Sequence, residues 1–376
     1  MATTDVVTAE EPIVAETAVA EPATPPPRTD EPSPSHAPPE AGKPVSTRLH
    51  SLDAARGLAI VVMLVAMNPG PVGAFPDWLR HPRWEGLSFI DLFFPLFLFV
   101  VGVSMTLSRR AVNAGHVLRR AVVLFALGVA LGSLKHQQFW VTGVLQHIAG
   151  AYVLAYAVLR APRRWHLPLA ATVLVGLWVA FVVWADGGDP WGTSGTLAHA
   201  LDGRLIGRFS TEGTLQTVMS TVTVLGGAFA GYLIRALPDR RQLVRALAVR
   251  AGALMALGLL IALSVPINKR LWSPSFAVLT VGTSFALLAV GVWIADVRRA
   301  HRPIAPLVHL GTNPITVYVL FLASLSLLRN YAEPVLPTLA PMGGATADVA
   351  IYAVVWTIFW WGFAYLLYRR RIFLKL

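Results

Sequence analysis

Ten long apolar segments, separated by short stretches rich in Arg, Pro and Gly, follow one another from Ser51 onward. Most approach the roughly 20 residues that a helix needs to cross about 30 Å of hydrocarbon. Backbone polar groups find no water in a bilayer core, so each segment must satisfy them internally as an α-helix. The pattern predicts an all-α, polytopic membrane helix bundle with about ten transmembrane helices. The segments cover residues 52–68, 87–108, 117–134, 141–159, 167–185, 214–234, 246–265, 275–295, 312–328 and 348–368.

The start of the chain has a different character. Residues 1–47 are rich in Pro, Ala, Glu and Thr and contain almost no large apolar residues. Such a segment buries too little apolar surface to fold, so we expect a disordered tail. Its acidic start lacks the basic segment and apolar run of a secretory signal. Two parts are predicted: a disordered tail, 1–47, and a transmembrane domain, 48–376.

Composition supports the membrane interpretation. Hydrophobic residues make up 55% of the 376 residues and charged residues 14%, against about 25% charged in soluble domains. The net charge is +11 overall, but the tail carries −6, so the rest carries +17. Those bases lie in short clusters beside apolar segments, which is typical of membrane-flanking charge and not of a nucleic-acid groove.

The orientation follows from the Lys and Arg residues in alternate loops. One side of the predicted bundle has 22 of them and the other has 8, with Arg56 near the start of the first helix. Cytoplasmic loops carry the excess of positive charge. Both termini are therefore predicted in the cytoplasm, and the polar loop between the first two segments, 68–91, is predicted outside.

That loop holds the first candidate chemistry, Asn68 at its entry and His81 near its exit. The unperturbed pKa of histidine lies nearest neutrality, so an imidazole can take and return a proton. Flanking Arg80 and Arg83 disfavour the imidazolium, and an asparagine amide can orient the ring or hold a developing oxyanion. The alternative is an interfacial loop histidine beside membrane-anchoring Arg and Trp residues.

Asp91 follows the loop at the predicted start of the second helix. Ser88-Phe-Ile-Asp91 matches the Ser/Thr-x-x-acid pattern of a helix N-terminus, in which the two side chains cap free N–H groups. A carboxylate near His81 can also orient the imidazole. The capping and functional interpretations are compatible.

Polar residues inside other apolar segments are further candidates. Asp53 and Arg56 are three residues apart in the first segment and can pair on one helix face; alternatively, Arg56 meets a phosphate-bearing donor from the cytoplasm. Gln146 and His147 lie a turn inside the fourth segment. Polar groups at that depth face the bundle interior, where they line a cavity or bond another helix.

Two outer loops carry charge as well. Between the seventh and eighth segments, Lys269 and Arg270 precede Trp272. They are either headgroup contacts beside an interface anchor or a site for an anionic or sugar substrate. Glu212, before the sixth segment, is interpreted as a structural acid at a helix start. Asn313, before Pro314, has the sequence pattern of a capping residue.

Several catalytic motifs are absent from the sequence. It has no cysteine, which excludes disulfides, thiolate metal sites and a cysteine nucleophile. It also has no phosphate-cradling Gly-Lys-Ser/Thr loop, no His-Glu-x-x-His and no Gly-x-Ser-x-Gly. A soluble-type hydrolase, an ATPase and a zinc protease are disfavoured, and we expect no metal.

Five stretches occur in one order within residues 48–370: Ser51-Leu-Asp-Ala-Ala-Arg-Gly57, Asn68 through His81-Pro-Arg-Trp84 to Asp91-Leu-Phe-Phe-Pro95, Gly143-Val-Leu-Gln146, Pro266-Ile-Asn268-Lys269-Arg-Leu-Trp272 and Gly311-Thr-Asn313-Pro-Ile-Thr-Val-Tyr318. Together they resemble the heparan-α-glucosaminide N-acetyltransferase family and its bacterial relatives. The sequence departs from that family at two places: Glu85 stands where the family usually has Asn, and Ser-Thr-Glu212-Gly stands where it has Asp-Pro-Glu-Gly.

The resemblance implies a polytopic enzyme that uses cytoplasmic acetyl-CoA to acetylate the amino group of a terminal glucosamine across the membrane. It places the essential histidine at His81 and its partner at Asn68, and donor contacts in the bundle interior, for which Arg56 and Asn313 are the candidates. The supporting site residues are Asp91, Trp84, Gln146, Asn268 and Lys269.

We therefore expect an acetyltransferase of the bacterial cytoplasmic (inner) membrane, with acetyl-CoA as donor and an amino sugar or another glycan as acceptor. Its other partner is the lipid bilayer; a homo-oligomer is compatible with this expectation, and nucleic acid is not expected. The alternatives are a membrane O-acyltransferase of a cell-envelope glycan, whose first helix also carries Leu-Asp-x-x-Arg, and a transporter or scaffold that retains the fold without chemistry.

Overall fold

A computed structural model describes residues 49–67, 79–108, 113–328, 330 and 345–374. The predicted tail, 1–47, and the candidate catalytic residue Asn68 lie outside these residues. The described residues form twelve α-helices and no strand, which confirms the all-α prediction. The helices are α1 (His50–Ala66), α2 (Phe93–Leu107), α3 (Ala114–His136), α4 (Val144–Arg160), α5 (His166–Ala185), α6 (Leu197–Ile206), α7 (Thr214–Ala236), α8 (Arg240–Ile261), α9 (Pro274–Val292), α10 (His301–Thr312), α11 (Pro314–Leu327) and α12 (Ala345–Arg369).

Short irregular turns extend three of these helices. A 3₁₀ turn at Phe89–Leu92 leads into α2, another at Arg163–Trp165 leads into α5, and a π-helical turn at Trp293–Val297 continues α9. Each predicted apolar segment falls on a helix, but α6 and α10 were not predicted. Both are short amphipathic or polar helices, and their sequences lack the long apolar runs on which the prediction depended.

The predicted number of about ten membrane-spanning helices is not confirmed. Within the described part of the chain, six helices are long and apolar enough to cross a membrane, or seven if α10 and α11 form one span bent by 69°. The helix α4 is apolar but has only 17 residues, fewer than the roughly 20 that a straight span needs. Apolar segments in the sequence therefore overstate the number of complete spans.

The long helices form an inner and an outer layer. The spans that contain α2, α7 and α9 are mostly enclosed by other helices, whereas α3, α5 and α8 leave most of their length uncovered. The uncovered faces carry large apolar side chains such as Leu118, Val183 and Leu260, each more than half exposed. Stripes of this size are unfavourable in water and suit contact with lipid chains.

Close approach of helix backbones depends on glycine at two crossings. Gly102 on α2 packs against the backbone of Val224 on α7, and Gly227 on α7 packs against the carbonyl of Phe99 on α2, so a Cβ at either glycine would overlap main-chain atoms. Lipid tails are as apolar as the helices, so close packing of small residues stabilises such pairs. The α1–α10 crossing uses Gly57 and Gly311 in the same way.

The two ends of the bundle differ in what they bring together. At one end Ser51 donates a hydrogen bond to Asp296 over 3.0 Å. Asn313 at the α10–α11 junction bonds the residues after α12 at the same end. At the other end lie the 79–92 loop, the α3–α4 connection, and the segments that precede α7 and α9. The candidate site is at this second end.

Candidate functional site

The helix start at Ser88–Asp91 positions the central carboxylate of the site. The Ser88 backbone N–H and hydroxyl donate to Oδ2 of Asp91 over 3.0 and 2.8 Å. The predicted cap is therefore present. It occupies one carboxylate oxygen and fixes the direction of the other.

That other oxygen, Oδ1 of Asp91, contacts two side chains from different parts of the chain. Nδ1 of His81 lies 2.6 Å away and Nζ of Lys269 lies 2.9 Å away. The Asp91 side chain is fully buried, while that of His81 is 50% exposed. A buried carboxylate is stable only when paired and hydrogen-bonded, and here four donors from three residues satisfy it.

The shared oxygen determines which nitrogen of His81 carries a proton. A carboxylate only accepts, so Nδ1 of His81 is the N–H donor to Asp91. Nζ of Lys269 also lies 3.3 Å from Nδ1 of His81. Both nitrogens are donors to Oδ1 of Asp91, so this distance is not a hydrogen bond between Lys269 and His81. In neutral His81 the remaining nitrogen, Nε2, has a free lone pair. This arrangement can take up a proton or attack an electrophile.

Asn268 shapes the loop that carries Lys269. Its Oδ1 accepts from the N–H of Leu271 over 3.0 Å, and its own N–H donates to Ser273 over 3.0 Å. The neighbouring carbonyl of Ile267 accepts from the N–H of Gly86 over 2.8 Å, and Gly86 has a φ of +112° that favours glycine. These bonds hold the Lys269 loop against the His81 loop.

A pocket of about 180 Å³ opens beside the imidazole. We call it the His81 pocket. Trp84 lies in its wall and donates its indole N–H to the carbonyl of Trp191 over 2.6 Å. The pocket brings together four of the predicted site residues; its lining includes His81, Trp84, Asp91, Glu212, Lys269 and Trp272.

A second pocket of about 370 Å³ adjoins the first, and we call it the Gln146 pocket. Gln146 lines it, together with Thr142 and Lys135. The Gln146 side chain is buried, and its Nε2 has no hydrogen-bond partner among the described residues. Gln146 therefore lines a cavity, which was one of the two interpretations of the sequence. That cavity is the Gln146 pocket, which adjoins the His81 pocket.

His147 follows Gln146 but faces a different neighbourhood. Its Nε2 lies 2.8 Å from the Ser220 hydroxyl on α7, and its ring packs near Phe94 and Trp272. Trp272 is only 1% exposed, which contradicts its interpretation as an interface anchor. The burial arises because the 266–273 loop folds inward against α2 and α4.

The two donor-binding candidates lie at the opposite end of the bundle. Arg56 donates to Asp53 over 2.7 Å and to the Ser104 hydroxyl over 2.5 Å, so the predicted ion pair is present. Asn313 makes no capping hydrogen bond, contrary to the prediction from Asn313-Pro314. Its amide instead donates to the carbonyl of Ile372 over 2.9 Å and accepts from the N–H of Leu374 over 2.8 Å.

One charged residue of the site was not predicted to belong to it. Glu212, interpreted as a structural helix-start acid, lines both the His81 pocket and the Gln146 pocket. Arg270, for which a substrate site was one of two interpretations of the sequence, lines both pockets as well. The α7 N-terminus is capped instead by Asp202, which accepts from the N–H of Thr214 over 2.9 Å. Asp202 lies on a separate helix, so no short-range sequence pattern shows that it replaces Glu212 as the cap.

Comparison with known proteins shows which protein family this chain is similar to. The family described as "Heparan-alpha-glucosaminide N-acetyltransferase, catalytic" matches residues 48–186. The mouse (Mus musculus) protein named heparan-alpha-glucosaminide N-acetyltransferase is 26% identical over an alignment of 424 positions, covering 90% of this chain and 62% of the mouse protein. The human (Homo sapiens) protein of that name is 26% identical over 417 positions, covering 88% of this chain and 60% of the human protein. The chain thus spans about 60% of the length of these relatives.

Proposed function

We propose that this chain, which is similar to the heparan-alpha-glucosaminide N-acetyltransferases, transfers an acetyl group from cytoplasmic acetyl-CoA to an amino sugar or other glycan outside the membrane. The observation that carries the proposal is the contact between His81 and the buried Asp91, at 2.6 Å. It supplies an oriented imidazole at the edge of a pocket. The proposed place of action is a bacterial cytoplasmic membrane.

In the proposed reaction, His81 uses Nε2. The acceptor enters the His81 pocket, and Nε2 takes the proton of the attacking group as it bonds to the acetyl carbon. The C–S bond of the thioester breaks, and His81 passes that proton to the leaving thiolate. Asp91 keeps Nδ1 protonated and stabilises the imidazolium that forms, which is the role of the orienting carboxylate in acyl transfer. A route through an acetylated His81 would use the same Nε2 atom, and mass spectrometry of donor-treated enzyme distinguishes the two routes.

Lys269 and Asn268 have supporting roles in this scheme. Lys269 shares Oδ1 of Asp91 with His81 and balances the buried negative charge. Asn268 holds the loop that presents Lys269. Asn68 is proposed to assist His81, as the family resemblance implies.

The donor is proposed to enter from the end that contains Arg56. Met67, which follows α1 directly and lines the Gln146 pocket, is eleven positions after Arg56, and this corresponds to about 17 Å along the helix. A donor that binds near Arg56 and delivers its acetyl group to the pockets therefore needs a long, flexible acyl carrier. Acetyl-CoA fits that requirement because its phosphates and its thioester lie at opposite ends of an extended molecule.

The test measures acetyl transfer by protein reconstituted in proteoliposomes, with acetyl-CoA on one side and an amino-sugar panel on the other. Replacement of His81 by Ala should lower the rate by about 10²–10⁴-fold, the range for loss of a positioned general base. The matched control is His116→Ala on α3, outside both pockets, which should transfer at the normal rate.

Normal turnover by a folded His81→Ala protein would overturn the assignment. N-blocked sugars in the same panel separate amine from hydroxyl acceptors and so test the O-acyltransferase alternative. A wild-type protein that does not bind acetyl-CoA would favour the transporter or scaffold alternative.

A further inference from the structure

Glu212 occupies the wall between the two pockets of the site. With Thr211 and Arg270, it lines both the His81 pocket and the Gln146 pocket. Its side chain is partly buried, as expected for a group inside a cleft. A ligand in the His81 pocket therefore meets this carboxylate as well as the imidazole.

Helix capping does not account for this carboxylate. The α7 N-terminus is already served by Asp202, whose Oδ1 accepts from Thr214 and whose Oδ2 accepts from the N–H of Ser210 over 3.2 Å. The absence of a side chain at Gly213 makes room for Asp202, because a Cβ there would overlap its carboxylate. Asp202 is fully buried, so its position is determined by these contacts.

The charges of the His81 pocket are unequally paired. Asp91 neutralises Lys269 at 2.9 Å. Oε2 of Glu212 accepts from the neighbouring Thr211 hydroxyl over 2.8 Å. Among the described residues, Glu212 has no Lys, Arg or His partner within 4 Å. It is the carboxylate of this pocket that remains available to a cationic group of a ligand.

We propose that Glu212 binds the amino group of the acceptor and takes a proton from it. The inference rests on the proposed acetyltransferase function. A protonated amine cannot attack a carbonyl because its lone pair is occupied by a proton. A site for such acceptors therefore needs a group that binds the ammonium and a base that deprotonates it.

The proton balance assigns different steps to the two residues. Glu212 takes one proton from the bound ammonium and leaves a neutral amine. The amine nitrogen then bonds to the acetyl carbon, the C–S bond of the thioester breaks, and Nε2 of His81 takes the second proton from that nitrogen. His81 passes its proton to the leaving thiolate, and Glu212 releases its proton to water.

The first experiment measures binding and needs no turnover. Isothermal titration of purified protein compares methyl glucosaminide with methyl N-acetylglucosaminide, which lacks the basic amine. Wild-type protein should prefer the amine, and Glu212→Gln should weaken amine binding about ten- to a hundredfold, the scale of a charged hydrogen bond. Affinity for the N-acetyl sugar should change little.

The matched controls are Glu212→Asp, which keeps the charge, and Glu85→Gln, an exposed acid outside the pocket lining. Glu212→Asp should retain part of the preference and Glu85→Gln all of it. Equal binding of the two sugars by wild-type protein, or an unchanged preference in folded Glu212→Gln, would overturn the inference.

A second experiment separates this inference from the proposed function. Acetyl transfer to the amine by Glu212→Gln should show a KM raised about tenfold or more, with acetyl-CoA affinity unchanged. Absence of transfer by wild-type protein would refute the acetyltransferase and leave the binding comparison to decide the role of Glu212. Transfer by wild-type protein with an unaltered amine KM in the variant would refute the role of Glu212 alone.

Discussion

Oδ1 of the Asp91 carboxylate lies 2.6 Å from Nδ1 of His81. The Asp91 side chain is fully buried, whereas the His81 side chain is half exposed. The buried partner is held rigidly by the cap at Ser88, so it fixes the orientation of the accessible one. The chemistry proposed for His81 depends on this difference, since a freely rotating imidazole would present Nε2 only part of the time.

Replacement of Asp91 by Asn should lower acetyl transfer about 10²-fold or more, on the scale of losing a positioned base. The amide has one accepting oxygen, which cannot serve both His81 and the Ser88 cap, and it leaves Lys269 without its counter-charge. Rates in proteoliposomes, together with circular dichroism to check the fold, measure the effect.

The control for that variant is Ser88→Ala, which removes one bond to Oδ2 and leaves the His81 contact in place. It should cost about 1 kcal/mol of stability, as loss of a helix cap does, with a rate within a few-fold of wild type. An equal loss of activity in both variants would show that Asp91 supports activity only by capping the helix and not by its contact with His81.

Replacement of Lys269 by Met should lower both the stability of the protein and the rate of acetyl transfer. Nζ of Lys269 lies 2.9 Å from Oδ1 of the buried Asp91 carboxylate, and removal of one partner of a buried charged hydrogen bond costs about 1–3 kcal/mol. Thermal unfolding in detergent and transfer rates in proteoliposomes measure the two effects. Lys269→Arg, which keeps the charge, should retain most of the stability and of the rate; wild-type stability and rate in the Met variant would contradict the role of Lys269 as the counter-charge of Asp91.

The crossing of α2 and α7 should be sensitive to one methyl group. Gly102→Ala places a Cβ against the Val224 backbone, and rigid main-chain atoms cannot move aside as a flexible side chain can. Such overpacking typically costs about 1–3 kcal/mol. Gly176→Ala on α5 is the control, since nothing lies within 4 Å of its Cβ. Thermal unfolding in detergent should show a lower midpoint for the first variant and little change for the second.

Asn313→Ala should lower stability and leave the KM for acetyl-CoA unchanged. Both ends of the amide already bond the backbone of Ile372 and Leu374, and loss of these partners should cost about 1–3 kcal/mol. Thermal unfolding and donor kinetics on the same preparation measure the two effects. A raised donor KM at normal stability would instead assign Asn313 to donor binding.

Local patterns made several features predictable. The Ser88–Asp91 cap and the Asp53–Arg56 pair each join residues three apart in sequence, so helix geometry alone brings them together. The length and apolarity of the segments predicted the helices for the same reason. The number of complete spans was less predictable, because a bent pair such as α10 and α11 and a short helix such as α4 have the same composition as a span.

The site itself depends on contacts between distant parts of the chain. His81 and Lys269 are 188 residues apart, and only the packing of α2 and α9 brings both to one carboxylate oxygen. Packing also places Gln146 in the adjoining pocket and buries Trp272. It brings Asp202, and not Glu212, to the N-terminus of α7 as the capping residue. The sequence by itself determined an all-helical membrane protein and the residue types of the site, because hydrophobicity and helix spacing act locally. Which side chains share a pocket was decided by the tertiary structure, because helix crossings set those distances.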